Sequence, residues 1–245
     1  MDVMKILVTN DDGIKAPGIR HLVTWARKLG DVTVVAPKVE QSAKSHSIDI
    51  HNAFEFKESH EFDDLGIKSW TVDSTPADCV RVALCLVSKD FDLVLSGMNR
   101  GENVGDAVIY SATCGAALEA EYLGKKAIAF STSSDFVDGA PAYYDMAWDF
   151  IEKQKLIEKC SVLNVNIPKD VKGIRMTRHG GSYFNDVFVE DKDAGNDMVR
   201  AKGIWVYENK HDLDVDTDAF TDGYISITPL TNDHTDWGAF NRIKA

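Results

Sequence analysis

Residues 5–19 read KILVTNDDGIKAPGI, and this stretch decides the predicted fold. Residues 5–9 are rich in Ile, Leu and Val without a clear alternation, which is typical of a parallel strand buried on both faces. Asn, Asp and Gly at positions 10–13 favour a turn, so the strand ends there. Pro17 suits the first position of a helix, whose apolar pattern ends at Gly30. The predicted order is therefore strand, acidic loop, helix.

Two adjacent carboxylates, Asp11 and Asp12, follow this strand directly. The carboxyl ends of parallel strands are where open α/β sheets bind ligands. Hard divalent cations prefer oxygen ligands, so the pair suggests a metal site. The alternative is an acidic turn that only caps the helix, and a lone Asp-Asp pair does not decide between the two.

Residues 31–37, DVTVVAP, predict a second strand. A helix separates it from the first strand, so the two form a right-handed βαβ unit with parallel strands. Ser42, in the polar loop that follows, then lies at the same sheet edge as the two aspartates. Its hydroxyl oxygen is a candidate metal ligand, and a plain loop serine is the alternative.

Residues 91–96, FDLVLS, predict another buried strand, and the glycine-rich loop after it leads into a helix of small residues. Asn99 in this loop offers an amide oxygen to a hard metal. Ser111, Thr113 and the free N–H groups of the helix's first turn suit phosphate oxygens. The loop is neither a Walker loop nor GxGxxG, so the nucleoside-triphosphate and dinucleotide motifs are both absent.

The rest of the chain predicts an α/β core followed by a hairpin-rich appendage. Residues 47–58 and 67–73 look like an antiparallel pair of strands, and 140–159 like one long amphipathic helix. The core closes with a strand at 162–167, after which short strands alternate with polar turns. The acidic segment 208–222 predicts a solvated surface, and a contact with a neighbouring subunit is the alternative.

Composition restricts the class of protein. The chain has 245 residues and a net charge of −12, which argues against polynucleotide binding because that depends on neutralising phosphates with Lys and Arg. No apolar run has the length of a membrane span and no signal peptide is evident, so we expect a cytoplasmic protein. The four widely spaced cysteines are expected to be reduced core residues, Cys114 among them. His46 and His179 are the candidates for proton transfer.

Five segments together resemble the SurE (survival protein E) family of metal-dependent 5′-nucleotidases. They are KILVTNDDGIKAPGI (5–19), VVAPKVEQSAKSHSI (34–48), STPADCV (74–80), DLVLSGMNRGENVGDAVIYSATCGAALEA (92–120) and DGYISITPL (222–230). The resemblance runs over nearly the whole chain in the family's order. It implies an α/β fold with a Rossmann-like, mostly parallel three-layer core over 1–170. It also implies a β-hairpin-rich extension over 171–245, which helps build a dimer or tetramer and whose last strand is able to return to the core.

The resemblance also implies a site. It assigns one divalent ion per subunit, Mg²⁺ or Mn²⁺, and release of phosphate from nucleoside 5′-monophosphates, in some members also from 3′-nucleotides and short polyphosphate. Its metal ligands carry over to Asp11, Asp12, Ser42 and Asn99, and the two aspartates are the expected catalytic residues. Expected substrate or phosphate contacts are Asn10, Asn99, Asn103, Ser111 and Thr113.

Departures from the family pattern leave alternatives open. Ala112 stands where the family usually has glycine, and a positive φ there would strain alanine by roughly 1 kcal/mol. Ala43 and Ser74 also replace common glycines. The rival functions are a phosphatase of sugar phosphates, a non-catalytic nucleotide or metal sensor, and a structural oligomerisation module.

Overall fold

The computed structural model describes residues 3–244, which form one nine-stranded sheet, a separate two-stranded hairpin and flanking helices. The strands are β1 (Met4–Thr9), β2 (Gly30–Pro37), β3 (Phe56–Ser59), β4 (Ser69–Val72), β5 (Leu93–Arg100), β6 (Lys126–Thr132), β7 (Val162–Ile167), β8 (Gly173–Met176), β9 (Phe184–Glu190), β10 (Val199–Trp205) and β11 (Tyr224–Leu230). The α-helices are α1 (Pro17–Ala26), α2 (Pro76–Val82), α3 (Ala107–Tyr110), α4 (Ala112–Tyr122), α5 (Tyr144–Lys153), α6 (Leu156–Lys159), α7 (Asp216–Thr221) and α8 (Trp237–Lys244).

The sheet has the order β3-β4-β2-β1-β5-β6-β7-β11-β8, with β1 in its interior between β2 and β5. Strands β4, β2, β1, β5, β6 and β7 are parallel, while β3 and β11 run antiparallel to their neighbours β4 and β7. Strand β8 lies beyond β11 and parallel to it. Although residues after 170 supply β8 and β11, the proposed division of the chain at residue 170 stays a prediction.

Two hydrophobic cores make this a three-layer α/β fold. In β1, Ile6 and Val8 pack on the face covered by α1 and α5, whereas Leu7 packs on the face covered by α2 and α4. All three side chains are fully buried, which explains why the segment lacks the alternation of a half-exposed strand. The predicted fold class is confirmed, including an antiparallel hairpin, β9 and β10, in the C-terminal part.

Three expectations are wrong in detail, and one helix was not foreseen. Of the strand expected at 47–58 only the last part belongs to a strand, Phe56–Ser59, and residues 47–55 form an irregular segment with a bend at 50–52. The helix expected at 140–159 is interrupted at Lys155, which has φ 52°. Helix α8 was not expected. Of the cysteines expected in the core, Cys79 and Cys114 are buried but Cys85 is exposed.

The acidic segment is the most instructive error. Within 208–222, expected to be a solvated surface, Asp216 and Asp218 are buried at the start of α7. Each accepts hydrogen bonds from backbone N–H groups, which replace the water that burial removes.

The β9–β10 hairpin leaves large apolar side chains exposed. Every residue of both strands is exposed, and the apolar ones include Phe184, Val187, Phe188, Val189, Val199, Ile204 and Trp205. None of the helices within residues 3–244 has both the length and the hydropathy that a membrane-spanning helix needs.

Candidate active site

The turn after β1 brings Asp11 and Asp12 to the carboxyl edge of the sheet. The side-chain amide of Asn10 donates to the carbonyl oxygen of Gly13 (2.9 Å), which closes the turn. Because β2 and β5 flank β1 and run parallel to it, their own carboxyl ends meet this turn. Asn10 is fully buried and its amide N–H serves the turn, while the expected contact of Asn10 with substrate stays a prediction.

Asp11 is a buried carboxylate at the centre of this edge. It is 5% exposed, and its Oδ1 accepts a hydrogen bond from the Thr113 hydroxyl (2.6 Å). Burial raises the pKa of Asp11 to about 7; the negative charges of Asp12 and Glu40 act in the same direction, while the Thr113 bond opposes them. Among residues 3–244, no lysine or arginine forms an ion pair with Asp11. The buried Asp11 thus lies among negative charges and has no ion-paired cation in the described part of the chain.

Asp12 faces the loop that follows β5. Its Oδ2 accepts a hydrogen bond from the backbone N–H of Arg100 (3.1 Å), the residue after Asn99. Partial burial raises the pKa of Asp12, although the Arg100 N–H lowers it. Asn99 donates its side-chain N–H to the carbonyl oxygen of Gly101 (2.7 Å), so its amide oxygen remains an acceptor. Asp12 and Asn99 are thus held side by side by one backbone contact.

Ser42 comes to the same edge through the loop after β2. The backbone N–H of Gln41 donates to the carbonyl oxygen of Asp11 (2.7 Å), which ties the serine loop to the acidic turn. The Ser42 hydroxyl donates to the Glu40 carboxylate (2.6 Å). The segments that carry Asp11, Asp12, Ser42 and Asn99 are therefore adjacent; that they share one ion stays a prediction.

Helix α4 points its N-terminus at Asp11. Ser111 caps the helix by accepting from the backbone N–H of Cys114 (3.1 Å), and Thr113 in the first turn makes the Asp11 contact. Asn103 points elsewhere: its side-chain N–H donates to the Ser131 hydroxyl (2.8 Å) in a buried polar cluster. The structure thus brings Thr113 and the start of α4 to the aspartates, whereas the amide N–H of Asn103 is used inside the fold.

Backbone strain falls at Ala43 and not at Ala112. Ala112 is the first residue of α4 and is helical, so the positive φ that would strain it does not occur. Ala43, next to Ser42, has φ 57°, a left-handed conformation that costs a residue with a Cβ roughly 1–2 kcal/mol. Of the two alanines that stand where glycine is common in the family, the one that strains the backbone is therefore Ala43, in the loop after β2.

Replacing Ala43 with glycine is expected to stabilise the protein. Relief of the strain outweighs the extra entropy of glycine in the unfolded chain, so the free energy of unfolding should rise by about 0.5 kcal/mol. Denaturant unfolding measures this. Ala142→Gly, in a 3₁₀-helical turn, is the control and should lower the stability. An equal loss of stability in both variants would contradict the strained loop.

Three further groups lie at or near this edge, and the sequence had not singled out the first of them. Glu40 acts on both aspartates, and only its place two residues before Ser42 in the loop after β2 could have suggested it. His46, a proton-transfer candidate, contacts the buried Glu119 through Nε2 (2.7 Å). Cys114 is buried, and burial raises its thiol pKa to about 12, so it is no nucleophile. In the described residues no cluster of three or more His, Cys, Asp or Glu could hold a metal, so any site here depends on serine and amide oxygens as well.

A cavity of about 380 Å³ opens beside Asp12. Besides Asp12, three carboxylates line it: Glu40, Asp135 and Asp138. The other polar groups come from Arg100 and Ser134, and the apolar surface comes from Pro17 and Val137. Asp135 pairs with Lys169 (2.8 Å), whereas no ion pair of Arg100 occurs among residues 3–244. Next to the aspartates, the cavity thus combines the guanidinium of Arg100, carboxylates that accept hydrogen bonds from hydroxyl groups, and an apolar wall.

Comparison with known proteins identifies the family of the chain. The family model described as "Survival protein SurE" matches residues 6–186. The chain is 38% identical to the "5′-nucleotidase SurE" of Petrotoga mobilis, covering 99% of this chain and 98% of the relative, and 36% identical to that of Clostridium beijerinckii, covering 98% of each. It superimposes on the crystal structure of the SurE protein of Aquifex aeolicus with a TM-score of 0.76, at 30% identity and 98% coverage of both chains. The matched region contains both the acidic turn and the helix that faces it, and the chain belongs to the SurE family.

Proposed function

We propose that the chain is a divalent-metal-dependent phosphomonoesterase that releases phosphate from nucleoside 5′-monophosphates. The observation that carries the proposal is the juxtaposition of Asp11 and Asp12 with the N-terminus of α4 through the Thr113 contact. A helix N-terminus binds phosphate oxygens, and paired aspartates bind the cation that a phosphate group needs near carboxylates. Relatives that carry the name 5′-nucleotidase support the reaction.

The donor set fits one Mg²⁺ or Mn²⁺. A buried carboxylate with an elevated pKa and no cationic partner in the described part of the chain favours a bound cation. We assign Asp11, Asp12, Ser42 and Asn99 as ligands, all of them oxygen donors suited to a hard metal. A bound divalent ion supplies Lewis-acid polarisation of the phosphoryl group and offsets the charge that develops in the transition state.

The chain's own groups bind and orient the substrate. The first-turn N–H groups of α4, that of Thr113 among them, hold phosphoryl oxygens, and Ser111 keeps this turn in place as its cap. The Thr113 hydroxyl donates to Asp11 and so joins this turn to the acidic turn. Asn10 fixes the turn that aims the two aspartates. Asn103 supports the loop between β5 and α3 from inside the fold, where its backbone N–H donates to Asn166 (2.7 Å).

The cavity beside Asp12 suits the nucleoside. Its carboxylates and Ser134 can accept hydrogen bonds from ribose hydroxyls, and its apolar wall with Arg100 can cover a base. A sugar phosphate offers the same phosphate but no base. This difference supports nucleotides over the sugar-phosphate alternative.

A metal-supplemented screen of phosphomonoesters tests the proposal. With Mn²⁺ or Mg²⁺ we expect phosphate release from AMP or GMP with a kcat/KM at least about tenfold above that for glucose 6-phosphate, because only the nucleotides fill the cavity. The screen includes 3′-nucleotides and short polyphosphate. Faster hydrolysis of the sugar phosphate would favour the alternative phosphatase, and metal or AMP binding without any phosphate release would favour the sensor.

The assembly and location are proposals as well. The exposed apolar side chains of β9 and β10 support a homodimer or homotetramer built through the hairpin. We place the protein in the cytoplasm on its sequence, and its acidic charge supports a small nucleotide and not a polynucleotide as partner.

A further inference from the structure

The start of the hairpin is fastened to the loop that leads into α4. Asp216, fully buried at the first position of α7, accepts from the backbone N–H of Gly105 through Oδ2 (3.0 Å) and from that of Gly180 through Oδ1 (2.7 Å). Gly105 lies 111 residues before Asp216 and belongs to the loop after β5, while Gly180 lies just before β9. One carboxylate therefore joins the catalytic edge to the root of the hairpin.

Other contacts tighten the same junction. A Cβ added at Gly105, which has φ +53°, would lie 2.0 Å from the carbonyl oxygen of Gly181, so the two backbones touch. The Ser182 hydroxyl donates to the carboxylate of Asp106. Residues 105–106 are thus held by 180–182 from one side and by Asp216 from the other, and we call these contacts the hairpin clamp.

The clamp lies immediately before the phosphate-binding turn. Residues 107–110 form the short helix α3, and Ser111 follows as the cap of α4. A displacement of Gly105 is passed through one helical turn to Ser111, because backbone hydrogen bonds link Ser111 to Ala107 (3.0 Å) and Val108 to Gly105 (3.1 Å). The placement of the phosphate-binding turn therefore depends on the root of the hairpin.

We propose that Asp216 is a positioning residue that couples the β9–β10 hairpin to the phosphate-binding turn at Ser111. It does not touch substrate, and it acts by holding the backbones of Gly105 and Gly180 in fixed positions relative to each other. Whatever the hairpin binds, a second copy of this chain included, then biases the geometry of the turn. The part of this inference that concerns substrate binding depends on the proposed function, whereas the structural coupling does not.

Asp218 supplies a matched control. It is also a buried carboxylate on α7, but its partners are the Tyr207 hydroxyl (2.5 Å) and the backbone N–H groups of Lys210 and Asp212, all within the C-terminal part of the chain. Every donor to Asp216 is a backbone N–H group, so in Asp216→Asn the new NH₂ group faces such a donor and a buried hydrogen bond is lost. In Asp218→Asn the NH₂ group can donate to the Tyr207 hydroxyl, while the remaining oxygen accepts from the two backbone N–H groups. Only the first loses a contact to the catalytic edge.

Full-length wild type and both variants are compared by amide hydrogen exchange and by kinetics. For Asp216→Asn we expect exchange at residues 105–111 to be about fivefold faster or more, and KM for AMP to rise by a similar factor with kcat little changed, because ground-state phosphate binding is loosened. For Asp218→Asn, which removes the same charge from α7 and can keep its hydrogen bonds, we expect neither change. Equal exchange at 105–111 in the two variants would overturn the inference.

A second variant and the exchange data alone decide the outcome in two cases where the first comparison fails. If Asp216→Asn does not fold, Ser182→Ala removes one contact of the hairpin clamp, and the same faster exchange at 105–111 is expected; wild-type exchange there would reject the clamp. If the wild type releases no phosphate from AMP, the proposed function fails, and the exchange data still decide whether Asp216 couples the hairpin to the turn.

Discussion

Asp11→Asn is expected to abolish phosphate release. The substitution keeps the size of the side chain and an oxygen that Thr113 can bond, but it removes the charge that a bound cation requires. Loss of a preorganised electrostatic contribution of this kind lowers kcat by about 1,000-fold or more. The measurement is phosphate release from AMP with saturating Mn²⁺, together with calorimetric titration of the metal.

Asp92→Asn is the matched control for this prediction. Asp92 accepts from the backbone N–H of Lys5 (2.8 Å) and so serves the opposite end of the same central strand. It should lose some stability and keep its activity. A near wild-type rate in Asp11→Asn would remove the acidic turn from the catalytic machinery, and loss of activity in both variants would indicate a general effect of damage to β1.

The acidic turn was predictable because its signals are local. A buried run, an Asn-Asp-Asp-Gly turn and Pro17 are consecutive, so strand, loop and helix follow from residues a few positions apart. To predict that the segments of Ser42 and Asn99 lie near this turn, one more general rule is needed: parallel neighbouring strands end at the same edge of a sheet. That rule predicts where the segments lie but not where their side chains point. The sequence therefore did not predict that the Asn103 side chain points into the fold.

Charge composition was a poor guide to burial. The acidic segment was expected at a surface, but Asp216 is buried with hydrogen bonds from backbone N–H groups of two distant loops. Asp218 is buried with hydrogen bonds from backbone N–H groups a few residues before it. No sequence pattern states which loop will supply such donors. The same holds for Glu119, which is buried with His46 and Arg81 as partners.

The interrupted helix after residue 140 has a similar cause. Its apolar positions continue through residue 157, but Lys155 takes a left-handed conformation and separates α5 from α6. Lysine carries no turn signal, so the break is set by packing of Ile151 and Leu156 against the sheet. Local propensity is a weak guide where tertiary contacts decide.

Metal-free stability should fall as the pH rises from about 4 to 7, and Asp11 is the reason. Its pKa is raised from 3.8 to about 7 in the folded protein, so between these values the folded state holds a proton that the unfolded state has released. Because the folded state binds more protons, the free energy of unfolding decreases with rising pH in this window. Above it, the buried carboxylate costs on the order of 4 kcal/mol relative to an unperturbed one. The pKa of Asp12 is raised as well and acts in the same direction.

A bound cation should reverse this dependence. Metal binds the ionised carboxylates, so the rise in Tm on adding Mn²⁺ should be larger at about pH 8 than at about pH 5.5, where Asp11 is protonated in the metal-free protein. Asp11→Asn carries no buried charge at this position, and we expect it to be more stable than the wild type at the higher pH without metal and to gain little from Mn²⁺. Thermal unfolding of both proteins at both pH values, with Mn²⁺ or with a chelator, measures all of these quantities. Since acidic groups away from this site titrate in both proteins alike, the difference between wild type and Asp11→Asn reports Asp11 together with its coupling to Asp12 and Glu40. A wild type that Mn²⁺ stabilises equally at both pH values would show that the cation binds elsewhere in the protein.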